Sequence, residues 1–226
     1  MSRTFVIVGS DTEVGKTYVS CGILRSIRAR GIPARGIKPI ESGVEALTPS
    51  NEDGVLLATA SGQSEPTQAL IRLKTPIAPP AAADLEGVIL DWDALMQQVS
   101  SLRLRDGVTL VEGAGGQLSP LTWSTTAVDL AKAIKAPLIV VVADRLGAVH
   151  HTRANLAVAR ANGLRVAGIV LCAGTSADST TGKNRAALLQ CDEWLKDDAP
   201  PICHVGVDAF ADENADFETF IAEVLQ

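Results

Sequence analysis

The sequence predicts an α/β fold, in which a mostly parallel β-sheet is covered by helices on both faces. Short apolar segments alternate with helical segments along the chain, and this alternation is typical of parallel sheets. The clearest strand is Leu138–Ala143, an uninterrupted apolar run that fits a strand buried on both sides. Hydrophobic residues make up 46% of the 226 residues and aromatic residues only 4%, which favours aliphatic strands beneath helices. Since the chain shows no internal repeat or linker, we expect one domain spanning residues 1–226.

The remaining elements follow from apolar runs and helix-ending signals. Gly31 ends the first predicted helix and Gly163 ends a later one. The predicted order is a strand at Thr4–Val8, a helix from Lys16 to about Arg30, a strand at Ala34–Pro39, helices at Asn51–Ser61 and Asp91–Leu104, strands at Val108–Val111 and Leu138–Ala143, a helix at His150–Asn162, a strand at Val166–Cys172, a helix from about Lys183 to Leu195, a strand at Ile202–Gly206 and a helix at Phe217–Leu225.

Caps and loops complete this outline. Asn51 and Asp91 are the expected N-caps of their helices, because short polar side chains accept the first free N–H groups. Residues 62–90 are predicted to be less regular, with Thr75–Pro80 in a loop because of its prolines. The glycine-rich Gly113–Gly116 indicates a tight turn or a close approach of two backbones.

Charge and cysteine content exclude several classes of protein. The chain has 20 basic and 26 acidic residues and no basic tract, which argues against a nucleic-acid-binding protein. The cysteines are scattered without C-x-x-C spacing, so we expect neither a zinc site nor a disulfide framework, and a reducing cytoplasm. We expect no signal peptide and no membrane span, because no suitable apolar stretch is present. The four cysteines are Cys21, Cys172, Cys191 and Cys203.

The strongest motif is a phosphate-binding loop (P-loop) at residues 9–17, Gly-Ser-Asp-Thr-Glu-Val-Gly-Lys-Thr, between a predicted strand and a predicted helix. Backbone N–H groups of such a loop surround a phosphate. Lys16 supplies charge for the β- and γ-phosphate oxygens, and Thr17 supplies a hydroxyl for Mg²⁺. Ser10 stands where the strict pattern has glycine, and an ordinary capped strand–turn–helix is the alternative. The motif predicts a P-loop NTPase-like fold.

Three further residues are candidates for the same crevice. Glu112 follows the strand Val108–Val111, where an acid can hold Mg²⁺, although a carboxylate facing solvent is the alternative. The position of Asp53 is equally compatible with a metal ligand and with a helix cap. Lys38 follows the second strand and faces the same edge of the sheet, but its spacing alone favours an ordinary solvated lysine.

Taken together, GSDTEVGKT at 9–17, GIKPIESG at 36–43 and VEGAGG at 111–116 resemble the dethiobiotin synthetase family. The Lys-Pro pair followed by Ser-Gly is the most selective of these features. The resemblance implies ATP-dependent ring closure of 7,8-diaminononanoate with CO₂ to dethiobiotin, in biotin biosynthesis. It implies a carbamate and a carbamic-phosphoric anhydride as intermediates, ADP and phosphate as products, and Mg²⁺ as cofactor.

The resemblance also assigns site residues. It implies Lys38, Lys16 and Thr12 as catalytic residues, and Thr17, Asp53 and Glu112 as Mg²⁺ ligands. The implied nucleotide contacts are Glu13, Val14, Gly15, Lys16, Thr17, Tyr18, Asp53, Glu112, Gly113, Ala114, Gly115, Cys172 and Ala173. The implied substrate contacts are Thr12, Lys38, Ser42, Gly113, Leu146, Gly147, Ala148, Val149 and His150. Residues 146–150 of one family subunit meet the substrate held by the other, which implies a homodimer with its site at the interface.

The chain departs from the family where the base of the nucleotide is recognised. Family members often have asparagine at the end of the strand that here ends in Cys172-Ala173-Gly174, and the segment Ile202–Phe210 lacks the expected proline. A thiol is a poor substitute for an amide that both donates and accepts hydrogen bonds. We therefore predict weaker discrimination among nucleotides than a strict ATP enzyme shows.

Two other functions are compatible with a P-loop. An amide ligase acting on corrinoid side chains usually has a second, glutamine-hydrolysing domain, for which 226 residues leave no room. A switch ATPase that binds partners or membranes usually has a second lysine early in the loop, which is missing before Lys16. The predicted last helix, Phe217–Leu225, contains no Lys or Arg and is not typical of a membrane-binding tail.

Overall fold

The computed structural model describes residues 2–44, 49–174, 177–191, 199–206 and 215–226. Its strands are β1 (Ser2–Gly9), β2 (Ala34–Ile37), β3 (Ile40–Ser42), β4 (Ile71–Leu73), β5 (Gly107–Gly116), β6 (Leu138–Ala143), β7 (Val166–Cys172) and β8 (Ile202–Val205). Its helices are α1 (Lys16–Ala29), α2 (Asp53–Ser61), α3 (Pro79–Glu86), α4 (Trp92–Leu102), α5 (Ala127–Ala133), α6 (Ala148–Ala161), α7 (Asn184–Cys191) and α8 (Ala215–Val224).

Six strands form one sheet in the order β2-β5-β1-β6-β7-β8, and β3 and β4 form a separate pair. All the strand pairings in both sheets are parallel. The carboxyl ends of β1, β2 and β5 therefore meet at one edge of the sheet, which is where ligands bind in such folds. The predicted α/β class with a parallel sheet is confirmed.

The sheet is buried on both faces, because successive side chains of a strand point to opposite sides. Phe5 and Ile7 of β1 belong to one apolar cluster, whereas Val6 and Val8 belong to the other. The first cluster also contains Ile23 of α1, Leu57 of α2 and Phe217 of α8, and the second contains Leu95 of α4, Leu130 of α5, Leu156 of α6 and Leu188 of α7. Helices thus cover both faces, as the sequence predicts.

Several local predictions are wrong. Asn51 is not the N-cap of α2; it lies in a short 3₁₀ helix, and Glu52 occupies the N-cap position. Thr75–Pro80 is not all loop, because Pro79 and Pro80 open α3, where a missing N–H does no harm. Residues 62–90 are accordingly more regular than predicted, with β4 and α3 inside them.

Other boundaries differ by a few residues. Helix α5 is missing from the prediction altogether, and α6 begins at Ala148 rather than at His150. Asp91 does cap α4, since its side chain accepts the Ala94 N–H at 2.9 Å. The helix predicted from about Lys183 begins at Asn184 and is described as far as Cys191; its predicted end at Leu195 lies outside the described residues. Among the described helices, none combines the length and the apolar character needed to cross a membrane.

Candidate active site

The phosphate-binding loop lies between β1 and α1, where the sequence places it. Gly15 occupies the N-cap position of α1 with φ of 91°, a conformation that favours glycine, and no side chain caps the helix. The first N–H groups of α1 are therefore available to an anion. Lys16 reaches back across the loop, and its Nζ donates to the Asp11 carbonyl at 3.2 Å. These features fit a loop that binds phosphate.

Cys172, the last residue of β7, supports this loop. A Cβ atom built on Gly15 would lie only 2.6 Å from Cys172 Sγ, so the thiol fills the space against the loop. Cys172 is 3% exposed, and its burial raises the pKa of the thiol to about 11. A thiol is at most a weak donor or acceptor of hydrogen bonds. Contact of Cys172 with a nucleotide base remains a prediction.

The two candidate acids meet at Thr17, in the first turn of α1. Thr17 Oγ1 lies 2.7 Å from Asp53 Oδ1 and 2.9 Å from Glu112 Oε1. Asp53 begins α2 and Glu112 lies in β5, so three elements far apart in sequence converge here. Ser20, one helical turn after Thr17, donates to Glu112 Oε2 at 2.7 Å. Glu112 thus faces the crevice and not solvent, and Asp53 is not the cap of α2.

Lys38 completes this cluster. Its Nζ lies 2.5 Å from Asp53 Oδ2 and 2.8 Å from Glu112 Oε1, and it also donates to the Gly113 carbonyl at 3.4 Å. Lys38 is 3% exposed, which contradicts the interpretation of a solvated strand-end lysine. Burial by itself lowers the pKa of this ammonium, but the charges of Glu112 and Asp53 outweigh it and raise the pKa above the ordinary value. Lys38 is therefore a cation at neutral pH.

The neighbouring groups respond to the same charges. Burial lowers the pKa of Lys16, and the positive charge of Lys38 lowers it further. Burial acts to raise the pKa of Asp53, but attraction to Lys38 prevails and the pKa lies below its ordinary value. The crevice therefore holds two cations, Lys16 and Lys38, near an ionised Asp53.

The donor set at Thr17 fits Mg²⁺. Oxygen ligands are those that Mg²⁺ prefers, and it is usually held by one or two carboxylates together with water and substrate phosphates. The Thr17 hydroxyl has one proton and can donate to only one of the two carboxylates, Asp53 or Glu112. Its contact with the other carboxylate therefore brings lone pairs of two oxygen atoms together. A cation shared by Thr17, Asp53 and Glu112 would relieve that contact. Within the described ranges no cluster of three or more His, Cys, Asp or Glu side chains offers an alternative metal site.

A cavity of about 450 Å³ lies beside the phosphate loop. Thr12 and Glu13 of the loop line it, together with Ser42 after Lys38 and with Ala114 and Gly115 of β5, all of them predicted site residues. The other lining residues are outside the predicted site: Pro76, Ile77, Ala78 and Pro79 before and at the start of α3, with Ser119 and Pro120. The cavity thus has both polar and apolar lining residues.

Glycines allow the close approach of backbones at this cavity. Gly115 has φ of 65°, and a Cβ built on it would lie 2.4 Å from Ser119 Oγ. The predicted close approach at Gly113–Gly116 is confirmed, although β5 continues as far as Gly116. Gly113 itself is buried and faces Lys38 with its carbonyl.

Some predicted site residues lie elsewhere in the single chain. Leu146–His150 open α6 and do not line the cavity, and the side chain of Leu146 is 78% exposed. Val14 is buried, and the Tyr18 hydroxyl donates to the Gly206 carbonyl at 3.4 Å. Ala173 is buried next to Cys172, and its N–H donates to the Val205 carbonyl. Contacts of these residues with ligands remain predictions.

Two residues at the site were missed by sequence reasoning. Ser20 holds the second oxygen of Glu112, and its spacing of three from Thr17 places both on one helical face. Glu41 accepts the N–H groups of Asp53 and Gly54 at 2.5 and 3.0 Å. The sequence gives no signal for the second contact, because it joins segments that become neighbours only in the folded chain.

Known proteins with similar folds include other P-loop proteins. The septum site-determining protein MinD of Pyrococcus horikoshii, in complex with Mg-ADP, matches with a TM-score of 0.55 at 14% identity, over 99% of this chain and 95% of that one. The signal recognition particle receptor FtsY of Elizabethkingia anophelis matches with a TM-score of 0.51 at 13% identity, over 100% of this chain and 66% of the FtsY chain. At such identities the similarity shows the fold alone, and it confirms the P-loop NTPase-like prediction.

Sequence similarity is more informative. A family model described as an AAA domain matches residues 3–196. The chain is 42% identical over 171 residues to the ATP-dependent dethiobiotin synthetase BioD of Anaeromyxobacter dehalogenans (strain 2CP-C), covering 75% of this chain and 76% of the relative. It is 37% identical over 191 residues to the protein of the same name from Caulobacter vibrioides (strain NA1000 / CB15N), covering 81% of this chain and 87% of the relative. The chain belongs to the family of ATP-dependent dethiobiotin synthetases.

Proposed function

We propose that this protein converts 7,8-diaminononanoate, CO₂ and ATP to dethiobiotin, ADP and phosphate, the ring-closing step of biotin biosynthesis. The observation that carries the proposal is the cluster of Lys38, Asp53, Glu112 and Thr17 at the phosphate loop, in which Lys38 and Glu112 are buried. The names of the curated relatives support this reaction and do not favour a switch ATPase or a corrinoid amide ligase.

The reaction requires three bond-forming steps. One amine of the substrate adds to CO₂ and loses a proton, which gives a carbamate. A carbamate oxygen attacks the γ-phosphorus of ATP, breaks its bond to the β-phosphate oxygen and releases ADP. The second amine then attacks the carbonyl carbon of the mixed anhydride and loses a proton, and phosphate leaves with the bonding electrons of the C–O bond as the cyclic urea closes.

The residues of the crevice stabilise charge in these steps. Phosphoryl transfer depends on position and on neutralisation of negative charge more than on covalent help from the protein. Lys16 neutralises the β- and γ-phosphates, as its place in the loop predicts. Lys38, held as a cation, stabilises the anionic carbamate and the phosphoryl group in transfer, which is an electrostatic role. Thr12, at the border of the loop and the cavity, contacts the reacting groups.

Thr17, Asp53 and Glu112 are the proposed ligands of Mg²⁺. When bound, the ion neutralises charge on the phosphates of ATP and fixes their orientation. Lys38 contacts both carboxylates in the structure described here. From this position the Lys38 ammonium would stabilise the carbamate of the proposed reaction.

The cavity is the proposed site of the diamine. Ser42 and Thr12 offer hydroxyl groups in its lining, and Pro76, Ile77 and Pro79 offer apolar contacts for the methylene chain. The substrate carboxylate is proposed to bind at residues 146–150 of a second subunit, where α6 begins without a side-chain cap. This arrangement requires a homodimer.

Exposed apolar side chains near α6 support the dimer. Leu118 and Leu146 are 61% and 78% exposed, and Leu118 lines a groove against Ala154 and Val158 of α6. Replacing Leu146 with Asp should shift the protein from dimer to monomer in sedimentation equilibrium and raise KM for the diamine. A Leu146→Asp protein that remains dimeric with an unchanged KM would rule out this interface.

A reducing cytoplasm is the proposed location, and the four cysteines are free thiols.

The product tests the proposal directly. The protein is incubated with MgATP, bicarbonate and 7,8-diaminononanoate, and the reaction mixture is analysed by mass spectrometry. Dethiobiotin should form with the wild type and be absent with Lys38→Ala. If a protein that binds ATP gives no cyclic urea, the proposed reaction is wrong.

A further inference from the structure

We propose that Glu41 is a positioning residue for the metal site: it fixes the first turn of α2 and thereby orients the carboxylate of Asp53. This inference rests on the proposed role of Asp53 as a Mg²⁺ ligand. Glu41 belongs neither to the P-loop nor to the proposed metal ligands Asp53 and Glu112.

The contacts of Glu41 define its role. Oε1 accepts the N–H of Asp53 at 2.5 Å, and Oε2 accepts the N–H of Gly54 at 3.0 Å. These N–H groups belong to the first turn of α2, where no carbonyl of the helix can accept them. Glu41 is only 8% exposed, so water does not compete freely for its oxygens. The carboxylate thus holds the backbone of the residue whose side chain contacts Thr17 and Lys38.

The N-cap residue of α2 does not perform this task. Glu52 occupies the N-cap position, but its side chain makes no capping hydrogen bond. Its carboxylate instead pairs with the guanidinium of Arg72, whose Nε donates to Oε2 at 2.9 Å. The cap is therefore supplied by Glu41, a residue of β3.

A second restraint acts on the same turn. A Cβ built on Gly54 would lie 2.2 Å from the backbone nitrogen of Ala69, so the turn packs directly against that backbone. The hydrogen bonds to Glu41 and the packing against Ala69 both restrain the first turn of α2. The Asp53 side chain, by contrast, is 34% exposed. The direction of the Asp53 side chain depends on the position of the first backbone residues of α2. Glu41 fixes that position.

Glu41 also links the metal site to the substrate cavity. It lies between Lys38, which contacts Asp53, and Ser42, which lines the cavity. One short segment therefore carries the lysine, the residue that positions Asp53 and a wall of the substrate site.

The test compares Glu41→Gln with Glu52→Gln. Both changes remove one negative charge from a buried residue beside the start of α2, but only the first affects the N–H groups of Asp53 and Gly54. Affinity for ATP is measured by calorimetry with saturating Mg²⁺ and again with EDTA, and far-UV circular dichroism checks folding. Glu41→Gln should lose about 10-fold or more of the affinity that Mg²⁺ adds, as changes behind a metal ligand typically do. It should bind ATP normally in EDTA, and Glu52→Gln should match the wild type in both conditions.

A double-mutant cycle separates this inference from the site assignment. If Glu41 acts through Asp53, Glu41→Gln has no further effect on the Mg²⁺-dependent affinity in an Asp53→Asn background. If Asp53→Asn weakens that affinity and Glu41→Gln does not, the inference about Glu41 is wrong and the metal site stands. If Asp53→Asn has no effect, the metal assignment fails and the inference fails with it. Should Glu41→Gln not fold, Glu41→Asp decides: wild-type Mg²⁺-dependent affinity overturns the inference, and reduced affinity supports it.

Discussion

Lys38 Nζ and Glu112 Oε1 form an ion pair of 2.8 Å, with only 4% and 0% of the two side chains exposed. The residues are 74 positions apart, at the carboxyl-end side of the neighbouring strands β2 and β5. Buried charges of this kind are stable only when they are paired, since their desolvation is costly. The pair fixes a cation beside the phosphate loop, and most of the proposed chemistry depends on it.

Replacing Lys38 with Met should abolish most turnover while leaving MgATP binding largely intact. The change removes a cation from the transferred phosphoryl group, which typically costs about 10²-fold or more in rate. Lys74→Met, at an exposed lysine, is the matched control. Steady-state phosphate release gives kcat, and calorimetry gives the affinity for MgATP. Near-wild-type kcat in Lys38→Met would show that the assigned role is wrong.

The same variant should reveal a pH dependence of stability. Loss of one partner from a buried pair costs about 3–5 kcal/mol in the free energy of unfolding. Because folding raises the pKa of Lys38 above its ordinary 10.5, its contribution is complete below pH 10.5 and declines as pH rises further towards the folded-state pKa. Denaturant unfolding of wild type and Lys38→Met should therefore give a constant difference at neutral pH and a smaller one above pH 10.5. A difference that grows above pH 10.5 would contradict the raised pKa.

Lys16→Ala should slow the phosphoryl-transfer step by about 10²-fold or more, because this lysine neutralises the phosphates as charge moves to the leaving group. Single-turnover measurements with labelled ATP separate this step from product release. The expected result is a slow first turnover with a smaller change in MgATP affinity. An unchanged rate of the first turnover would exclude Lys16 from the chemical step.

Thr17→Val tests the metal site, because valine has the shape of threonine without the hydroxyl. Affinity for ATP should fall in the presence of Mg²⁺ and stay unchanged in EDTA. Thr59→Val, at an exposed residue of α2, removes a hydroxyl that donates to the Val55 carbonyl within the same helix and serves as control. Identical Mg²⁺ titrations of wild type and Thr17→Val would argue against Thr17 as a ligand.

Nucleotide selectivity should be weak. A site that recognises a base by hydrogen bonds rejects others by 10⁴-fold or more, whereas a thiol such as that of the buried Cys172 is only a weak hydrogen-bond donor or acceptor. We expect kcat/KM for ATP, CTP, GTP and UTP to lie within about 10²-fold of one another. A much larger preference for ATP would mean that other groups, beyond Cys172, recognise adenine.

The phosphate loop could be predicted because its signals are local: a strand, a glycine-rich turn and a helix follow one another directly. Parallel strands then place their carboxyl ends together, which correctly predicts that Glu112 and Lys38 face one crevice. Burial of Lys38 could not be predicted in this way. Its partners lie 15 and 74 residues away, and no spacing rule connects them.

The errors at α2 and α3 have related causes. Asn51 has the chemistry of an N-cap, but Glu41 from β3 supplies the capping carboxylate, and that contact exists only in the folded chain. Pro79 and Pro80 predict a loop when they are taken only as helix breakers, although proline is well tolerated in the first turn of a helix, where both residues lie. A tertiary contact therefore explains the wrong cap of α2, and the tolerance of proline in the first helical turn explains the wrong loop at α3.

Phosphate release from MgATP and bicarbonate, measured with and without 7,8-diaminononanoate, tests the central claim most directly. The cavity beside the phosphate loop is proposed to hold the diamine, and the carbamate of the diamine is the nucleophile for the γ-phosphate. Release should therefore require the diamine and match dethiobiotin formation mole for mole. Release that is indifferent to the diamine would contradict the proposed reaction and leave an ATPase of another kind.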